Sequence, residues 1–278
     1  MSFRHIYGGP RQAAYELLAS RMTDVYDRVR AVFEISSDFL TESIDPPAES
    51  LFGRDAALVG FRTYDIVRTR WSTGVTNLKV AADMSQAHAT SLLGTHLVAL
   101  RSALLSTARG LWILSSFEPE ERVARAAGVV MADRRRGREA MQAASEAATD
   151  PGFSGVAGRL EQARRKIEEE LQRAGISPIR PPSETQLVIH LGNKVDDYYG
   201  GAGRSKQDAL VLWSASSSLS HGERWFAELG KPIAKIVTDR SLDVVCSGLN
   251  LLWQCSLTGL TTGVRFPWFP DTKADPPG

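Results

Sequence analysis

The chain is short of the residues that announce a function most readily. Only two cysteines, Cys246 and Cys255, occur in 278 residues. They lie nine apart in a stretch of helical pattern, on opposite faces at about 100° per residue. They therefore neither bridge each other within one helix nor form a metal knuckle. They read as buried, unreactive thiols, which favours a reducing compartment and a cytoplasmic location. An excess of one charge is also missing. The net charge is +1, which excludes nucleic-acid binding through overall charge and leaves only a local patch for that role. Residues 1–10 contain no apolar run, so no secretory signal is expected. Gly200, Gly201 and Gly203 match neither a phosphate-binding loop nor a dinucleotide fingerprint. His88 and His96 fall roughly 80° apart on a helix, a poor metal pair. No metal and no cofactor is expected. Neither a strand-period run of convincing length nor an internal repeat is present.

What is there is ordinary globular composition and strong helical periodicity. Hydrophobic residues make up 43% and charged residues 23%, so a packed core is expected. The length suits one large helical domain. Residues 244–264 carry no charge, but Asn250, Gln254 and several Ser and Thr make the run too polar for a membrane span. A core helix is expected there, with no membrane association. The patterns predict helices over about 10–36, 54–80, 84–115, 118–148, 154–174, 183–199, 206–229 and 232–260. Leu93, Leu97, Leu100, Leu104, Ala108 and Leu111 make the clearest seam. Pro119, Glu120 and Glu121 suit a helix first turn. Ser183 followed by Gln186 reads as a capping box. The predicted architecture is all-α: a multi-helix core from 10–117 and 183–263, a charged helical hairpin at 118–175 projecting from it, and a Pro-rich tail at 266–278.

Four clusters are chemically suggestive. Ser214, Ser217 and His221 share a helix face, the arrangement in which a histidine base serves a hydroxyl nucleophile. Close packing of small residues around a hydrogen-bonded imidazole explains the same residues. Arg101, Arg109 and Trp112 lie on the clearest helix, Arg101 one turn from Leu97 and Leu105 and so bordering or entering the apolar seam, and Trp213 accompanies them as a pocket candidate. A buried arginine demands an anionic or carbonyl partner, either a ligand or a carboxylate across the bundle. Arg134, Arg135, Arg136 and Arg138 are the concentrated basic run, suited to phosphates or simply to a solvated helix face. Asp196 and Asp197 before the glycine run suit Mg²⁺ only with a further contributor; a helix end followed by a glycine loop accounts for them equally.

Arg101 to Arg109 with Trp112, then Pro119 to Arg125, and later Ser217 to Gly222 with Trp225, together resemble uncharacterised helical bacterial proteins grouped loosely with HEPN domains. The resemblance covers roughly 85–230. It implies a helical bundle, usually dimeric, with a role in RNA processing or defence. Active HEPN members carry an arginine followed, four to six residues on, by a histidine. No histidine here has that arginine, so the resemblance does not bring a nuclease site.

Three functions are consistent with these residues. The first is a HEPN-like protein that binds another macromolecule, RNA among the candidates, or itself. The second is a small-molecule enzyme or binding protein with an inter-helix pocket around Arg101, Trp112, Trp213 and His221. The third is a structural homo-oligomer that uses the hairpin as its contact surface.

Overall fold

A computed structural model describes residues 25–41, 44–87, 95–148, 151–220 and 231–261. Among them are nine helices and no strand, the all-α class that the periodicity predicts. They are α1 (Val25–Thr41), α2 (Leu51–Leu58), α3 (Thr63–Ala87), α4 (Thr95–Leu114), α5 (Pro119–Ala148), α6 (Pro151–Arg173), α7 (Glu184–Tyr199), α8 (Arg204–Ser220) and α9 (Lys231–Leu260).

The expected single helix at 54–80 is two. Val59 adopts an extended conformation with φ −144° and ψ 158°, which ends α2. The chain restarts at Thr63 after Gly60, a residue whose backbone freedom disfavours helix interiors. The expected helix at 154–174 begins earlier, with Pro151 in its first turn, where the missing N–H is no loss. Glycine ends it at Gly175, with φ +69°, as the sequence indicates.

α4 is the centre of the bundle. Leu97, Leu100, Leu104, Ala108 and Leu111 of the predicted seam are all fully buried, and α3, α7, α8 and α9 pack around them. Among the described residues α4 is also the one helix long and apolar enough to cross a membrane; its burial within the bundle accounts for that composition. The uncharged stretch of α9 buries Val245, Leu249, Leu252 and Cys255, a core helix as expected. Trp71 stacks on Trp253 at 5.1 Å and donates its Nε1–H to the Leu249 carbonyl at 3.2 Å, which ties α3 to α9. Both cysteines are free and buried.

The hairpin is α5 and α6. Its inner part packs on the core through Ala126 and Val129, and among the described side chains of α5 none beyond Val129 is buried. A small apolar cluster of Val59, Val123, Ala127, Ile167 and Leu171 joins its two helices to the end of α2. Arg122 anchors the base. Its guanidinium is fully buried against the equally buried Asp55, 2.6 Å from Oδ1, and also donates to the carbonyls of Ser116, Phe117 and Leu51. From α6 the chain returns along α5 through residues 176–183. The Ile179 N–H donates to the Ala124 carbonyl at 3.0 Å. The approach is so close that a Cβ on Gly128 would lie 1.8 Å from the Ile179 oxygen, so this position needs glycine. The strap delivers the N-terminus of α7 to the flank of α5.

Candidate functional site: an arginine cluster spanning five helices

The predicted capping box forms. The Ser183 hydroxyl accepts from the Gln186 N–H, and the Gln186 side chain accepts from the Ser183 N–H. Glu184 is therefore fixed as the first residue of α7 without being consumed by the cap. Its carboxylate meets three guanidinium groups. Arg101 approaches Oε2 at 3.5 Å, and Arg109 and Arg136 approach Oε1 at 3.6 Å and 3.7 Å. Arg109 also reaches Asp133 at 3.4 Å, and Arg70 of α3 pairs with the same carboxylate. The Ser106 hydroxyl donates to the Arg70 carbonyl at 2.8 Å and so pins α3 to α4 beside the cluster. Trp213 of α8 lies under the Arg101 guanidinium, 3.9 Å from carbon to ring centroid, within cation–π range.

Helix geometry explains the convergence. Arg101 and Arg109 are two turns apart on α4, and Asp133 and Arg136 are one turn apart on α5. Four guanidiniums face two carboxylates, an excess of two positive charges. Arg70 and Arg109 have side chains only 15% exposed, whereas Arg136 is 55% exposed, so the cluster grades from interior to solvent. Burial is the largest influence on Arg109 and lowers its pKa; Asp133 opposes this, while neighbouring Arg70 and Arg136 add to it. A groove of about 560 Å³ continues from the cluster, lined by Arg135, Arg136, Arg164, Arg180, Ser183 and Glu184 among others. Its size falls within the range of small-ligand sites.

The structure thus brings together Arg101, Arg109 and Trp213, and adds Arg136 from the basic run. It places Trp112 elsewhere. That ring is 7% exposed and lies under Arg125, 5.2 Å from its guanidinium carbon. Arg134 turns to the Ala163 carbonyl across the hairpin. Arg135 lies 4.0 Å from Glu139 and Arg138 lies 3.8 Å from Glu161. Ser214 is exposed and Ser217 half-buried; His221 lies outside the described residues, as does His88. Asp196 is a helix cap: its carboxylate accepts from the N–H groups of Ser205 and Lys206 at 2.9 Å and 3.1 Å, which satisfies the first turn of α8. Among the described residues no group of three potential ligands gathers for a metal.

The sequence reading missed Arg70, Asp133 and Glu184. Asp133 precedes the arginine run directly, and Glu184 sits inside the capping box. Neither position carries a sign of the partner it meets across the bundle. No family model, curated protein or solved structure matches the chain. The resemblance to HEPN domains rests on the short motifs alone, and the site is interpreted from its own chemistry.

Proposed function

We propose that this chain is a helical binding protein that holds a small anionic ligand at the Arg70–Arg101–Arg109–Arg136 cluster. One observation carries the reading: four guanidiniums from three helices converge on only two carboxylates, beside a ligand-sized groove lined by further arginines. Planar guanidiniums recognise carboxylate and phosphate oxygens bidentately, and a stacked, half-buried Arg101 is already ordered for that task. A melting-temperature screen of the full chain with phosphate, sulfate, nucleotides and dicarboxylates tests this. An anion that binds the native state raises the melting temperature by mass action, about 2.7 kcal/mol of stabilisation at a hundred times the Kd. The increment is expected to vanish in Arg109→Gln and to shrink in Arg136→Ala. Equal increments in all three proteins would refute the assignment.

A second reading follows the HEPN resemblance, with the chain binding RNA or itself. Arg135 and Arg136 favour the RNA arm, being 57% and 55% exposed on one helix surface. RNA binding at that ridge predicts affinity that falls linearly in log–log with salt, with a slope reduced by about one for each arginine removed. A flat salt response excludes it.

A further inference from the structure

The Glu184 carboxylate is poorly matched to its surroundings. Three guanidiniums converge on two oxygens, and Oε1 is shared by Arg109 and Arg136. All three separations, 3.5, 3.6 and 3.7 Å, exceed the roughly 2.7–2.9 Å of a well-made charge-assisted hydrogen bond. The neighbouring Asp133 is taken up by Arg70 and Arg109 and does not relieve the mismatch. The seat formed by Arg101, Arg109 and Arg136 is thus wider and more positive than one carboxylate fills.

We infer that Glu184 is an internal counter-anion seated where the ligand's phosphate binds, and that the ligand class is a phosphomonoester, which displaces it. A phosphomonoester brings three terminal oxygens and up to two negative charges, one oxygen for each guanidinium. A phosphodiester has two free oxygens and one charge, no better than the carboxylate already present. Displacement leaves the helix start intact, because the capping box uses Ser183 and Gln186 and not Glu184. The Glu184 side chain is 32% exposed, so it reaches water without rearranging the bundle. The groove next to it, lined by Arg135, Arg164 and Arg180 besides Arg136, gives the body of the ligand a place on the solvent side. Glu184 also acts as a threshold: a monoanion must compete with a tethered carboxylate of the same charge, and a dianion outcompetes it.

This inference rests on the anion-site reading, and its test separates the two. Titration calorimetry on the full chain compares AMP, glucose 6-phosphate and inorganic phosphate with 3′,5′-cyclic AMP as the diester. The proteins are wild type, Glu184→Gln and Arg136→Ala, the last a mostly exposed side chain whose loss leaves the core untouched. Glu184→Gln removes the competing charge and keeps the shape, so the monoesters are expected to bind it on the order of tenfold more tightly, while Arg136→Ala weakens them several-fold. A gain seen with inorganic phosphate alone assigns the seat to free phosphate; a larger gain with AMP or glucose 6-phosphate assigns it to an organic monoester. Unchanged or weaker binding in Glu184→Gln, with affinity still lost in Arg136→Ala, overturns the role of Glu184 and leaves the anion site standing. Cyclic AMP binding as tightly as AMP overturns the phosphomonoester class. No heat with any of these probes in wild type or Glu184→Gln, while sulfate or a dicarboxylate still raises the melting temperature, overturns the phosphomonoester class and leaves the anion site standing; no response to any anion overturns both readings.

Discussion

Replacing Asp55 with asparagine strips the charge from a carboxylate that holds a fully buried arginine. Arg122 makes two bonds to Asp55, Nε to Oδ2 at 3.1 Å and Nη2 to Oδ1 at 2.6 Å, and three more to backbone carbonyls. Both side chains are 0% exposed, so water cannot substitute. A guanidinium stays protonated at any ordinary pH, and Asp55→Asn leaves it uncompensated in the interior. Losing one partner of a buried pair costs about 3–5 kcal/mol. At roughly 2–4 °C per kcal/mol for a chain of this size, the melting temperature falls by about 10 °C. The reverse change, Arg122→Met, is milder. Burial already pushes the Asp55 carboxyl up to about 6 against the pull of Arg122, so without the arginine it neutralises by taking a proton. Thermal denaturation followed by circular dichroism at pH 7 measures both variants. A shift below about 3 °C for Asp55→Asn, or a larger loss for Arg122→Met than for Asp55→Asn, would refute this account of how the hairpin is anchored.

Three other perturbations probe separate parts of the fold. His190 is held neutral, its pKa lowered to about 4 by burial first, then by Lys194 and Arg125. Its folded pKa lies below the unfolded value near 6.5, so its contribution is present above pH 6.5 and is lost as pH falls through 4, up to about 3 kcal/mol; His190→Gln is expected to flatten the stability difference between pH 7 and pH 4, and an unchanged slope contradicts this. Gly128→Ala drives a methyl into the Ile179 carbonyl and is expected to cost about 1–3 kcal/mol through overpacking, read as a lower urea midpoint; a neutral result would mean the strap does not lie on α5. Cys246 and Cys255 are fully buried, with the Cys246 thiol pushed up to about 12 by desolvation, so a thiol reagent is expected to label neither before unfolding; fast labelling of the native protein contradicts the packing of α9.

The elements legible in the sequence were those whose signal is local. The seam of α4 appears in its leucine spacing, the start of α7 in Ser183 and Gln186, and the end of α6 in Gly175. The break between α2 and α3 was weakly marked, because Val59 and Gly60 each weaken a helix only by about 1 kcal/mol or less and only the fold selects the extended conformation at Val59. The site was half legible. Arg101 announces itself as a charge bordering an apolar stripe, with Arg109 two turns on along the same helix, and such a buried charge must find a partner. The identity of the partners was hidden, since Asp133 and Glu184 come from elements fifty residues apart in the chain and meet only because the strap returns along α5. Asp196 shows the opposite failure. A pair of acids before glycines looks like a cation site in sequence, and in the structure the first acid caps the next helix.

The central claim is that the arginine cluster is an anion seat filled in the free protein by Glu184. Titration of wild type and Glu184→Gln with AMP, side by side, tests it most directly. The account predicts binding to both, tighter on the order of tenfold in Glu184→Gln. Weaker binding in Glu184→Gln, or none to either protein, would contradict it.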